Sequence, residues 1–179
     1  MSDNTLSIYT DGSAIGNANV TKDTPTGWAV VLVRGDTGPN HDQGEYYGDL
    51  TGKVITDSSD SMYIGAQHGS NNTAELTAFY IALLFASNWP FGDKIIIYTD
   101  SEYAGNIADG TWRPSKNKAM VKELQKQWKL ASGRQDLQWK HVRAHSNFRW
   151  NEKADHLAYQ VASGEAEITE SQFSLESLM

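Results

Sequence analysis

Two apolar runs of the chain end in nearly the same five residues, and this repetition constrains the fold more than any other feature of the sequence. The first run ends in IYTDG at 8–12 and the second in IYTDS at 97–101. Alternation along a strand places the Tyr and the Asp of each run on one face. If the two strands are parallel neighbours, Asp11 and Asp100 lie side by side at the sheet edge where open α/β sheets place their sites.

Two ionised carboxylates so close together repel each other, and a shared proton or a divalent cation between them relieves the repulsion. The alternative for each Asp is a structural role, because Asp readily caps the turn or helix that follows it. The repetition of the motif favours the paired site over two independent caps.

Two further acids lie where they could join this pair. Glu75 belongs to the first turn of a predicted helix, where Asn72 as N-cap and Glu75 at N3 would also form an ordinary capping box. Asp155 lies near the start of the last predicted helix, beside its apolar stripe, and is otherwise an exposed helix residue. Four carboxylates from two strand ends and two helix starts could surround a pair of magnesium ions, since oxygen ligands select hard cations.

Apolar patterning along the chain is typical of a mixed α/β protein. Strands are predicted at 6–10, 27–33, within 34–61, and at 61–67, 93–99 and 136–144; helices are predicted at 71–88, 101–109, 116–132 and 152–163. The first helix shows one apolar stripe that includes Leu76, Phe79 and Leu83. In the last strand His141 shares a face with Leu137 and Trp139, so we expect it to be packed.

Length and composition exclude several classes of protein. The chain has 179 residues and no cysteine, which indicates one domain without disulfides, thiol catalysis or a thiolate metal site. The N-terminal sequence lacks the features of a signal peptide, and no apolar run is long enough to span a membrane. We therefore expect a location in the cytoplasm or another intracellular compartment and no membrane partner.

The net charge of −7 conceals a strong segregation along the chain. Residues 112–153 contain 11 of the 15 Lys and Arg but only 3 of the 22 Asp and Glu. Such a basic segment on an acidic protein is typical of a face that binds a polyanion, although a lysine-rich helix exposed to solvent is the alternative for 116–129.

Four segments in this order resemble the signature motifs of the type 1 ribonuclease H family: YTDGSAIGN, NNTAELTA, YTDSEY and HSNFRWNEKADHLA. The resemblance covers residues 6–162 and implies the ribonuclease H-like α/β fold, a central mixed five-stranded sheet flanked by helices. It implies a catalytic domain at 1–162 and a flexible acidic tail at 163–179. The short stretch between Asp100 and His145 resembles family members that lack a basic helical handle.

The resemblance also implies an activity, hydrolysis of the RNA strand of RNA/DNA hybrids that leaves 5′-phosphate and 3′-hydroxyl ends. Asp11, Glu75, Asp100 and Asp155 match the catalytic, metal-binding acids, and His145 matches a loop histidine that assists proton transfer or product release. Two Mg²⁺ ions, with Mn²⁺ as a substitute, would lie about 4 Å apart and activate water and stabilise the leaving oxygen. Asp11 would bridge both ions.

Several further positions match residues that contact the hybrid in the family. Backbone beside Asp11 and polar side chains are expected to read the RNA strand, and basic residues with an aromatic neighbour are expected to replace the handle. These positions are Gly12, Ser13, Asn17, Asn71, Asn72 and Asn151, followed by Trp112, Arg113 and Lys116. Glu102 departs from the family pattern, because an uncharged side chain often contacts the substrate there. We expect a monomer whose partner is an RNA/DNA hybrid and whose binding depends strongly on salt.

The end of the tail, QFSLESLM, resembles the short motif by which replication proteins dock on sliding clamps, but it lacks the usual aromatic pair. We favour a frayed or self-packing helix over a weak clamp contact. Two other functions remain as alternatives: another nuclease of the same fold, which the motif at 145–155 disfavours, and a hybrid-binding protein without catalysis, which four intact acids disfavour.

Overall fold

A mixed five-stranded sheet lies at the centre of the protein. The structure is a computed structural model, which describes residues 4–16, 19–90 and 94–165. In chain order the elements are β1 (Thr5–Ala14), β2 (Thr26–Arg34), β3 (Glu45–Gly52), α1 (Asn71–Asn88), β4 (Lys94–Thr99), α2 (Glu102–Ala108), α3 (Lys118–Arg134), β5 (Asp136–His141) and α4 (Arg149–Ser163). Within those ranges no helix is long and apolar enough to cross a membrane.

The strand order is β3-β2-β1-β4-β5. The pairs β1–β2 and β2–β3 are antiparallel, whereas β1–β4 and β4–β5 are parallel. This arrangement confirms the mixed five-stranded sheet that the family resemblance implies. Because β1, β4 and β5 run in the same direction, their carboxyl ends meet at one edge.

Helices cover both faces of the sheet. The apolar side chains of α1, α2 and α3 form one core with residues such as Ile8, Val30 and Ile97. The other face packs against α4, where Tyr9, Val31 and Ile96 contact Trp150 and Ala154. As the sequence predicts, β4 is buried on both faces, because its alternate residues belong to the two different cores.

Helix α1 differs from the expected single apolar stripe. All of its residues from Thr73 to Ser87 are buried. One side lies against the sheet, and the side chains of α3 and of the connection after β3, including Val54 and Ile64, cover the rest of the same core. The helix is therefore enclosed, and its apolar residues extend beyond one stripe.

Two predictions in the connection before α1 are wrong. Residues 61–67 form turns instead of a strand, because Gly65 has a φ of +116° that interrupts extended backbone. The N-cap of α1 is Ser70, which forms a capping box with Thr73, so Asn72 and Glu75 do not cap the helix. The local pattern allowed either assignment, and the direction from which the chain enters the helix selects Ser70.

Candidate active site

Three carboxylates converge at the edge where the parallel strands end. Asp11, Glu75 and Asp100 each offer one oxygen, and these oxygens all lie within 4.8 Å of one another. Asp11 is 5% exposed and Glu75 is 9% exposed. The repeated strand ends bring the two aspartates together, as the sequence predicts, and α1 supplies the glutamate.

Gly12 explains how Glu75 reaches the strand ends. A Cβ atom at Gly12 would lie 2.4 Å from the backbone nitrogen of Glu75 and 2.5 Å from the carbonyl carbon of Ala74. The backbone of β1 therefore touches the first turns of α1 at the residue next to Asp11. The backbone N–H of Gly12 also donates to Oδ1 of Asp11, at 2.9 Å. Gly12 thus has a packing role, which is separate from the substrate contact predicted for it.

Burial and mutual repulsion make these acids reluctant to ionise. Burial, followed by the charge of Asp100, raises the pKa of Asp11 well above its usual value. Burial and the charge of Asp11 raise the pKa of Glu75 in the same way. Burial also raises the pKa of Asp100, although the charges of His141 and His145 act in the opposite direction.

Helix α4 brings two polar side chains to the same place. After burial and the charge of Asp100, Asp155 also raises the pKa of Asp11, through a side-chain hydrogen bond and through its charge. Asn151 lines a narrow crevice together with Asp11 and Asp100. Its Oδ1 atom is buried and has no hydrogen-bond partner within the described part of the chain. Among the described residues the oxygens that converge belong to Asp11, Glu75 and Asp100, and Asp155 lies outside that group. Helix α4 therefore adds Asn151 to the crevice and the charge of Asp155 nearby.

The chemistry of these groups fits a divalent cation. Buried carboxylates that lack cationic partners carry a large electrostatic cost, which a bound cation offsets. Oε2 of Glu75 is buried and has no hydrogen-bond partner among the described residues. The ligand atoms are all oxygen, the type that Mg²⁺, Mn²⁺ and Ca²⁺ prefer.

Comparison with known proteins identifies the family of the chain. Residues 3–163 match the RNase H family. The chain belongs to the ribonuclease H family. Curated relatives include the ribonuclease H of Pseudoalteromonas atlantica, 28% identical over 177 residues that cover 94% of this chain and 97% of the relative. The ribonuclease H of a Cyanothece species is 32% identical over 176 residues, which cover 88% of each chain.

Solved ribonuclease H structures have the same fold. RNase H1 from Halobacterium salinarum superposes with a TM-score of 0.62 at 24% identity and covers 90% of this chain and 99% of its own. LC11-RNase H1, solved in complex with an RNA/DNA hybrid, has a TM-score of 0.60 at 21% identity and covers 89% of this chain and 98% of its own. These likenesses confirm the ribonuclease H fold that the sequence motifs implied.

The histidine that matches the family loop motif lies beside the acids. His145 is exposed in the connection between β5 and α4, with a φ of +54°. Its charge is close enough to lower the pKa of Asp100, against the larger effect of burial. The loop therefore places His145 near enough to Asp100 for its charge to act on that carboxylate.

The other residues predicted to contact a hybrid occupy different surroundings. Asn71 uses its Oδ1 to accept a hydrogen bond from the backbone N–H of Ala14, at 2.8 Å. Asn72 and Lys116 line one open groove, together with His68 and Lys118. Trp112, 44% exposed, and Arg113 do not line this groove, and Ser13 is partly buried in β1. Asn17 falls outside the described residues.

Sequence reasoning missed the position of His141, which is exposed instead of packed. Its Nε2 lies 3.2 Å from the carbonyl oxygen of Asp100, and its Nδ1 lies 4.0 Å from a carboxylate oxygen of Glu102. His141 pairs with Thr99 in the β4–β5 ladder, so it ends its strand beside Asp100. Only the parallel pairing of β5 with β4, which ends both strands at this edge of the sheet, brings His141 to the site.

Proposed function

We propose that the protein hydrolyses the RNA strand of RNA/DNA hybrids by two-metal-ion catalysis and leaves 5′-phosphate and 3′-hydroxyl ends. The single observation that supports this most is the group of Asp11, Glu75 and Asp100, whose oxygens converge within 4.8 Å in a chain of the ribonuclease H family. The known complex of LC11-RNase H1 with an RNA/DNA hybrid supports the choice of substrate.

The proposed roles of the residues follow from their positions and from the family motifs. Asp11, Glu75, Asp100 and Asp155 would hold two Mg²⁺ ions, for which Mn²⁺ could substitute. Bound there, the metals would activate a water molecule and stabilise the charge on the departing 3′ oxygen. His145, on its exposed loop, would move a proton or help the product leave.

Binding of the hybrid is proposed to use the surfaces around this site. The backbone at Gly12 and Ser13, together with Asn17, Asn71, Asn72 and Asn151, would contact the RNA strand and its 2′-hydroxyls in the minor groove. Lys116, with Trp112 and Arg113, would hold phosphates outside the cleavage site.

The remaining proposals concern the whole chain. The catalytic domain would span 1–162, and 163–179 would form an acidic tail with at most a weak sliding-clamp contact. Residues 166–179 of this tail lie outside the described structure. We propose a monomer that works in the cytoplasm or another intracellular compartment.

A gel cleavage assay tests the proposed function. RNA labelled at one end is presented with Mg²⁺ as a hybrid, as duplex RNA or as a single strand, beside labelled duplex DNA. We expect internal cuts only in the RNA of the hybrid, which disappear with EDTA and in Asp11→Asn. Asp57→Asn is the matched control, because it makes the same change at an exposed aspartate whose side chain accepts hydrogen bonds from Ser59. Treatment of the products with phosphatase identifies the 5′ ends.

The assay also separates the alternatives. A wild-type protein that binds the hybrid but does not cut it in Mg²⁺ or Mn²⁺ would be a hybrid-binding protein without catalysis. Cuts in duplex DNA would instead indicate another nuclease of the same fold.

A further inference from the structure

The connection between β2 and β3, residues 35–44, reaches across the sheet to the start of α4. We name it the brace loop. The backbone N–H of Trp150 donates to the carbonyl oxygen of His41 at 3.3 Å, and the Trp150 indole N–H donates to the carbonyl oxygen of Gln43 at 2.7 Å. These bonds join segments that are more than a hundred residues apart in sequence.

The start of α4 needs such a partner. Its N-cap residue, Phe148, makes no side-chain capping bond. The first backbone N–H groups of a helix have no acceptor within the helix, so a carbonyl from another segment can satisfy one of them. His41 does this for Trp150, the second residue of α4, and Asn151 follows directly.

The side chain of His41 fixes the brace loop to both strands that carry the repeated motif. Its Nδ1 lies 2.5 Å from the hydroxyl of Tyr9, which also lies 2.6 Å from Oγ1 of the buried Thr37. Its ring contacts Tyr98 edge to face, with centroids 5.0 Å apart. Tyr9 and Tyr98 each stand two residues before an acid of the site.

The same ring also touches the loop that carries His145. The centroids of His41 and Phe148 lie 5.1 Å apart. This loop contains two residues with left-handed backbone, His145 at +54° and Asn147 at +62°. Side chains other than glycine hold such conformations when the surrounding structure enforces them. Packing of Phe148 against His41 supplies part of that enforcement.

We propose that His41 is a positioning residue, which braces the start of α4, with Asn151 and Asp155, and the His145 loop against the strands that end in Asp11 and Asp100. His41 touches none of the acids, so it acts through Tyr9, Tyr98, Phe148 and the backbone of Trp150. Its effect on cleavage rests on the proposed function, whereas its effect on the position of α4 does not.

Burial is consistent with a neutral ring in this role. Burial lowers the pKa of His41, and the charge of Lys140 acts in the same direction. The charges of Asp36 and Asp42 act in the opposite direction, but the pKa remains lowered. Burial also raises the pKa of Tyr9, so its hydroxyl keeps its proton. The Tyr9 hydroxyl can then donate a hydrogen bond to Nδ1 of a neutral His41 while it accepts one from Thr37.

The test compares two substitutions at His41 with a control in the same loop. His41→Gly removes the ring but tolerates the positive φ of +51° at this position. His41→Asn tolerates that φ and places an amide oxygen near the position of Nδ1. Asn40→Ala changes an exposed neighbour and is the control. Thermal melting reports whether His41→Gly folds. If it does not fold, Tyr9→Phe, which removes only the hydroxyl that bonds to His41, still tests the proposal.

The first readout is hydrogen exchange at the Trp150 backbone and indole N–H groups, which bond to backbone atoms and not to the His41 side chain. We expect exchange to be about tenfold faster in His41→Gly and about threefold faster in Tyr9→Phe, with partial recovery in His41→Asn. If His41→Gly and Tyr9→Phe both exchange at the rate of Asn40→Ala, the proposal that His41 braces α4 is overturned.

The second readout is catalysis. We expect kcat for the hybrid to fall about tenfold in His41→Gly with KM unchanged, because misplaced groups affect the chemical step more than binding. Faster exchange with an unchanged kcat would overturn the positioning role.

A third readout does not depend on cleavage. We expect Mg²⁺ titration, followed through the amide of Asp155, to show affinity weaker by about threefold in His41→Gly. If the wild type does not cleave the hybrid, the proposed function fails, and this titration still decides whether His41 positions Asp155. Unchanged affinity in that case would overturn the proposal.

Discussion

Tyr9 and Tyr98 stack face to face on neighbouring parallel strands, with ring centroids 4.6 Å apart and planes 11° from parallel. The ladder pairs Tyr9 directly with Tyr98 and Thr10 with Thr99. Asp11 and Asp100 therefore leave the two strands at the same level. The repeated Tyr-Thr-Asp sets the spacing of two carboxylates by backbone register, and the stacked rings beneath them hold that register.

The stability of the metal-free protein should fall as the pH rises. The pKa values of Asp11, Glu75 and Asp100 are raised in the folded state, so the unfolded chain loses its protons first, from a pH of about 4. The stabilisation is complete below that pH and is lost as the pH rises through the folded pKa values. Thermal melting in EDTA across this range measures the effect, and Mg²⁺ should reverse it because it binds the ionised form.

Glu75→Gln should abolish cleavage and yet stabilise the metal-free protein. The change removes a carboxyl group that burial and the charges of Asp11 and Asp100 make costly to ionise. We expect the free energy of unfolding to rise by on the order of 1–2 kcal/mol, and each kcal/mol should raise the melting temperature by about 2–4 °C. Melting curves at pH 5 and pH 8 in EDTA provide the control, since the gain should be larger at pH 8. A variant that melts below the wild type at both pH values would contradict this account.

Gly12→Ala should disturb both stability and the site. The new Cβ would collide with the backbone of Ala74 and Glu75, so we expect a loss of about 1–3 kcal/mol and displacement of the carboxylate of Glu75. Gly133→Ala is the matched control. A Cβ at Gly133, within α3, meets nothing within 4 Å and should stabilise the helix by about 0.5–1 kcal/mol. Urea unfolding measures both variants, and equal shifts would refute the close contact.

Ser70→Ala should destabilise the protein by about 1 kcal/mol, because Ser70 Oγ accepts from the Thr73 backbone N–H at 3.0 Å and caps α1. Asn72→Ala should change the free energy of unfolding by less than about 0.5 kcal/mol, since Asn72 does not cap the helix. Urea unfolding of the two variants compares them directly. A larger loss of stability in Asn72→Ala than in Ser70→Ala would contradict this assignment and support Asn72 as the N-cap, as the sequence pattern predicted.

Lys116→Ala should weaken hybrid binding and reduce its dependence on salt. If Lys116 in the groove beside Asn72 neutralises one phosphate, the slope of log K against log salt should fall by about 1. Lys94→Ala is the control, because Lys94 is exposed at the opposite end of β4 from Asp100. Fluorescence anisotropy of a labelled hybrid between low and moderate salt gives both slopes. Identical slopes for the two variants would remove Lys116 from the interface.

The sequence by itself determined the features that depend on local pattern. The extent of α1, although not its N-cap, follows from its apolar content, and the buried character of β4 follows from its run of β-branched residues. The meeting of Asp11 with Asp100 follows from two equal strand ends, once the strands are parallel neighbours. The ordered motifs predicted the family for the same reason, since they record the residues that a shared site needs.

Only the tertiary structure decided which partner each ambiguous residue has. The sequence predicted that His141 is packed, whereas the structure exposes it at the end of β5, beside Asp100. The choice of Ser70 over Asn72 depends on how the chain enters α1, and the contact of His41 with α4 joins segments far apart in sequence. Periodicity describes one segment at a time, whereas these contacts depend on how separate segments pack, so they are fixed when the sheet and its helices come together.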